Sequence, residues 1–165
     1  MSNTSNLVLP DDGDFSRVRT SAQGPEYAVG TMRETIAGKR YRYVKFLDAV
    51  TYVQYHVVTW ANAACTSVTN DISGGSSLGA AVAGTVQGNV PAQNGFGWIQ
   101  TWGPGTAKTS GADDIAFGES LFVHGSTDGT CDGASAATYV TGNLGYALTV
   151  DDNDANTVTA MIQVW

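Results

Sequence analysis

Charge is scarce in this sequence, and basic charge scarcest. Only 14% of the 165 residues are charged, where an average soluble domain has roughly a quarter. Lys and Arg number eight, and seven of them precede residue 46: Arg17, Arg19, Arg33, Lys39, Arg40, Arg42 and Lys45, with Lys108 alone beyond. The net charge of −7 argues against direct nucleic-acid binding, which needs clustered cations against phosphate. Residues 1–45 hold seven bases against five acids, net +2, whereas residues 46–165 hold ten acids against Lys108, net −9. A basic N-terminal section joined to an acidic body points to head-to-tail contact between copies, or to two faces with different partners. Uneven surface charge with no partner is the plainer alternative.

Cysteine is nearly absent. Cys65 and Cys131 have no CxxC spacing, which argues against zinc, and with no export signal they read as free thiols. Residues 1–15 lack the basic start and apolar run of a signal peptide. No stretch approaches the ~20 apolar residues of a membrane helix. A soluble protein made in a cytosol, with no membrane partner, is expected. Helical periodicity is missing, and no internal repeat of solenoid length stands out.

What is plentiful is glycine, 20 residues, together with Ala, Thr, Ser and Val, a composition suited to a turn-rich β protein. Residues 1–38 read as an extended N-terminal arm followed by irregular chain, with a helical turn or two possible only over Thr31 to Ala37. Residues 39–165 read as the body. Strands are expected from Lys39 to Leu47, Thr51 to Trp60, Cys65 to Thr69, Leu78 to Val90, Phe96 to Trp102, Ser120 to His124, Tyr139 to Val150 and Thr157 to Val164. Asp48-Ala49, Asn94-Gly95 and two Asp-Gly pairs read as turns, and residues 103–114 as a loop. Short strands with turn signals at this spacing predict a single all-β domain, a β-barrel or β-sandwich of jelly-roll or tulip-like form.

Chemistry-bearing patterns are thin. Gly75-Ser76-Ser77-Leu78-Gly79 matches the nucleophile-elbow pattern, but no strand–helix alternation surrounds it, so Ser77 reads as a chance match. His56 and His124 are the only histidines. Each reads as a packed or rim residue rather than a base. Asp152, Asp154 and Asn156 imitate the start of a calcium loop, yet Thr157 stands where its glycine belongs and Gln163 where its bidentate acid belongs. They read as a solvated hairpin loop, as does Asp113-Asp114. Trp98 and Trp102 would share one strand face with Phe96 and Gln100. Together with Trp60 and Trp165 they read as core or protein interface, with a sugar-stacking platform as the alternative. No catalytic residue, metal ligand or cofactor is expected.

Over roughly residues 40–102 the chain resembles a known family. Tyr41 to Trp60 (YRYVKFLDAVTYVQYHVVTW) gives two strands around a short acidic turn. Val82 to Pro91 follows the order V-A-G-x-x-x-G-x-V-P, and Gly95 to Gln100 the order G-x-G-W-I-Q. In these features it is similar to the decoration, or head cement, proteins of tailed bacteriophages. The resemblance implies a non-enzymatic, homo-oligomeric virion protein, often a homotrimer, on the outer capsid surface. Its partners would be the major capsid protein and further copies of itself, assembled in the host cytoplasm. It also implies an extended terminal segment that grips the capsid or a neighbouring copy. Charge and exposure then nominate Leu7, Val8, Leu9, Phe15, Arg17, Arg19, Arg33, Arg40 and Arg42 as interface residues. A carbohydrate- or receptor-binding module on a virion or cell surface is the rival reading.

Overall fold

The structure is a computed structural model that describes residues 8–9, 15, 17–47, 51–71, 81–88, 92–111, 114–134, 139–151 and 156–164. Among these it has strands and no helix: β1 (Val8–Leu9), β2 (Met32–Thr35), β3 (Arg40–Phe46), β4 (Val57–Trp60), β5 (Ser67–Thr69), β6 (Val82–Thr85), β7 (Phe96–Lys108), β8 (Ser120–His124), β9 (Cys131–Gly133), β10 (Tyr139–Ala147) and β11 (Thr157–Gln163). The all-β expectation holds, and among the described residues no helix is long and apolar enough to cross a membrane.

Five strands close into a barrel in the order β3-β5-β4-β6-β7, with β7 returning to β3. Only the β3–β5 contact in this ring is parallel. Val44, Phe46, Tyr52, Val58, Trp60, Val68, Ala83, Val86 and Ile99 fill its interior. All four residues of β4 and of β6 are buried, because these strands have a core on each side. Val58 and Ala83 face the barrel, while Val57 and Val82 join the second core. Continuous apolar runs are what two-sided burial demands of a strand.

The second core lies under an antiparallel sheet ordered β7-β11-β10-β8-β9. β11 alternates inward Val158, Ala160 and Ile162 with outward Thr159 and Met161, the period of a half-buried strand. An isolated bridge from Thr109 to Cys131 brings β9 back to the end of β7, so this sheet also curls toward closure. β7 serves both sheets. Residues 96–102 pair with β3, and residues 102–108 pair with β11.

Two expectations for local structure are corrected. Thr31 to Ala37 is not helical: Met32–Thr35 is a strand paired with Arg40 to Arg42 in a tight hairpin. The 103–114 loop does not begin at Gly103, because β7 runs on through Gly103-Pro104-Gly105 to Lys108. Pro104 has no N–H to give a ladder, and Gln100 compensates nearby by donating its carboxamide N–H to the carbonyls of Trp102, Gly103 and Pro104. Further along, the side-chain carboxamide of Gln87 imitates a neighbouring strand, its Nε2 donating to the Thr106 carbonyl at 2.7 Å and its Oε1 accepting from the Thr106 amide at 3.3 Å. Smaller differences follow from turn geometry. β4 starts only at Val57 because Tyr55 has φ 70°, and of the two Asp-Gly pairs only Asp128-Gly129 turns, Asp132-Gly133 being part of β9.

Candidate functional site

Phe15 and residues 19–30 are laid against the barrel wall. Phe15 is buried and stacks on Tyr41 with ring centroids 3.8 Å apart. Tyr27, Tyr43, Phe96 and Trp98 complete an aromatic cluster on the outer face of β3 and β7. Burial pushes the Tyr43 phenol above its ordinary pKa, and its oxygen accepts the Glu26 amide at 3.1 Å. Trp98 therefore belongs to a core, and a register shift opposite Arg40 and Tyr41 interrupts the alternation between Trp98 and Trp102.

The nominated arginines are mostly engaged within the chain. Arg17 and Arg19 both reach Glu26, at 3.4 and 3.3 Å. The Arg33 guanidinium lies 4.3 Å from the centre of the Tyr27 ring. Arg40 pairs with Glu34 at 3.4 Å, and Arg42 covers the Trp60 ring at 5.0 Å. Val8 and Leu9 pair in parallel with Glu34 and Thr35, so β1 is the outermost strand on this side. Leu7 lies outside the described residues, as do Ser77, Asp113, Asp152 and Asp154.

Both histidines are buried and held by different means. The Nδ1 of His56 is 3.1 Å from the Asn70 carboxamide nitrogen, and its ring fills the space where Gly129 would carry a Cβ. Burial first, and the nearby charge of Lys108 second, lower its pKa to about 4, with Asp128 opposing. The unfolded chain takes up a proton near the ordinary value of 6.5 that the native ring refuses until about 4. Stability should therefore be full above pH 6.5 and fall as pH drops through that window, by roughly 3 kcal/mol in all. Urea midpoints of wild type and His56→Gln across the window check this, since only the wild type should carry the extra acid slope. A difference curve that stays flat would rule out a buried neutral His56.

His124 belongs to a network around Asp132. Its Nδ1 accepts the Thr127 amide at 2.9 Å and the Ser126 amide at 3.3 Å, which leaves the ring proton on Nε2, 3.3 Å from Asp132 Oδ2. Ser110 Oγ donates to the same carboxylate at 2.7 Å. The order is thus serine–carboxylate–imidazole, in which the imidazole cannot take the serine proton as a triad requires. Next to it Thr109 Oγ1 donates to the buried Asp151 at 2.7 Å. Burial and then the charges of Asp132 and Asp151 raise the pKa of the Cys131 thiol, keeping it protonated and unreactive. Cys65 and Cys131 are unpaired thiols. Among the described residues no three His, Cys, Asp or Glu side chains are placed to hold a metal. This network is absent from the sequence reading because its members lie up to 42 residues apart, with no motif spacing to reveal them.

A cleft of about 600 Å³ opens between the barrel and the second sheet, lined by Trp60, Cys65, Ala81 and Val82 on one side and Gly142, Asn143, Gln163 and Val164 on the other. Its walls carry one indole, two carboxamides and no charge. No family model, curated protein or solved structure matches this chain.

Proposed function

We propose that this chain is a structural virion protein that binds the outside of a phage capsid and clamps neighbouring capsid subunits. The observation that carries the reading is the position of β1. Val8–Leu9 ends the strand order beyond β2, so its outer edge offers backbone N–H and C=O groups to a strand of another protein. Strand addition of this kind derives its hold from main-chain hydrogen bonds, and repetition around a symmetric shell multiplies each weak contact. The motif resemblance over residues 40–102 supports the same reading.

The test adds purified protein back to phage heads stripped of their outer proteins. Wild type should bind in numbers comparable to the major capsid protein and protect the heads from heat-induced DNA leakage. Val8→Pro removes a backbone donor from β1, and should weaken head binding by about tenfold or more while the thermal midpoint of the protein stays put. Binding without protection, or Val8→Pro binding like wild type, would overturn the clamp. The rival reading, a carbohydrate-binding module, draws support from the cleft, since an indole beside two carboxamides suits a neutral sugar. No binding to heads, together with quenching of Trp60 fluorescence by a sugar, would favour it.

A further inference from the structure

Both histidines of the chain bear on one turn. Residues 125–130 join β8 to β9, and this turn is pinned from two sides. From the end of β8, His124 Nδ1 accepts the amides of Ser126 at 3.3 Å and Thr127 at 2.9 Å. From the segment before β4, the His56 ring presses on Gly129, its nearest atoms 2.6 Å from where a Cβ would stand. The Val57 amide beside it donates to the Gly129 carbonyl at 2.8 Å. His56 Nδ1 in turn receives Asn70 Nδ2 at 3.1 Å and the Val53 amide at 3.4 Å. Each histidine is only 6% exposed. A backbone amide can only donate, so the Nδ1 of each ring carries a lone pair and no proton.

Protonating either Nδ1 sets donor against donor. Asn70 can turn its carboxamide, whose Oδ1 is buried and has no hydrogen-bond partner. The Val53, Ser126 and Thr127 amides have no such freedom. The charged groups facing His56 are Lys108 from the end of β7, which opposes a charge on the ring, and Asp128 from the turn, which favours one. Asp132 of β9 stands 3.3 Å from His124 Nε2, so a proton taken up by His124 has a counter-charge at hand. Behind Asp132 lie the Cys131 thiol and Asp151. The closed turn thus excludes protons that the same rings accept once water reaches them, and a two-state element of this kind shifts with pH.

We propose that the β8–β9 turn is an acid-released latch: protonation of His56 and His124 expels the turn, and β9 then peels away from β8. The latch guards Cys131. That thiol is fully buried, donates to the Lys108 carbonyl at 3.4 Å and sits opposite Val123 of β8. Release bares the thiol and leaves the edge of β8 open. It breaks few bonds, since β9 pairs with β8 over three residues only, and the barrel keeps its own separate core. The latch and the β1 edge lie at opposite ends of the strand order, so it goes beyond the capsid reading and is independent of it.

The test follows labelling of Cys131 by dithiodipyridine in a Cys65→Ser background, from about pH 7 down to about pH 4, with each rate corrected for that of a free thiol. Labelling should rise on the order of a hundredfold across that window. Tryptophan fluorescence, which reports Trp60 inside the barrel and Trp98 on its wall, should stay native. His56→Gln and His124→Gln each keep an acceptor that does not titrate. Each should reduce the rise several-fold, and the double variant should abolish it. If a glutamine variant loses the wild-type thermal midpoint, hydrogen exchange of the wild type decides instead. Protection of the Ser126 and Thr127 amides should then fall away over the same window while that of the β7 amides persists. Labelling or exchange that ignores pH overturns the latch, as does a folded double variant as acid-responsive as wild type. Fluorescence lost in step with labelling overturns it too, because the whole chain would then be unfolding.

Discussion

Gly145→Ala is expected to cost about 4 kcal/mol of folding stability, enough to threaten the folded state outright. Gly145 sits in β10 with φ 144°, and a Cβ there would stand 1.8 Å from the Met161 carbonyl oxygen and 3.3 Å from the Gln163 amide nitrogen. Backbone, unlike a long side chain, cannot swing aside, so β10 and β11 would have to part over their shared register. Gly118 is the control. It too has a positive φ, 80°, but a Cβ added there meets nothing within 4 Å, so Gly118→Ala should cost only the left-handed penalty of about 1 kcal/mol. Urea unfolding of both variants decides the matter. Equal losses would mean that the close approach of β10 and β11 is not what Gly145 serves.

Asp132→Ala should be nearly as damaging, at about 3–4 kcal/mol. The carboxylate is fully buried, accepts Ser110 and faces His124 Nε2. Its removal takes the Nε2 partner from the buried His124 and the carboxylate from the half-buried Ser110. The pair should be strongly coupled, so the double variant Asp132→Ala/His124→Ala should lose less than the sum of the single losses by at least about 1 kcal/mol. Additive losses would show that the two side chains do not act as one unit. The network ties Ser110, just past β7, to β8 and β9, so its loss should be felt first where the second sheet curls back on itself.

Much of the strand content was legible from periodicity. Phe96 to Trp102, Ser120 to His124 and Thr157 to Val164 declare themselves by alternation and β-branched residues, and Asn94 adopts the turn conformation its Asn-Gly pair announces. Closure was not legible, because it depends on partners far apart in the chain. Nothing local says that Lys45 meets Ser67 or that Thr85 meets Gln100. Gly103-Pro104-Gly105 misled for a definable reason: its residues break a ladder locally, and the compensating donor is the side chain of Gln100. The charge division between residues 1–45 and the remainder was plain from the start.

The sharing of β7 between both sheets has a dynamic consequence. A strand that forms a barrel wall at one end and a sheet edge at the other cannot leave one structure without loosening the second. The two cores should therefore melt in a single cooperative step despite their separate side-chain packing. Amides along Phe96 to Lys108 that bond into the ladders should exchange with solvent only through global opening, while the β2 hairpin and the β9 end exchange through smaller local fluctuations. In that sense β7 is the spine through which strain in the second sheet reaches the barrel.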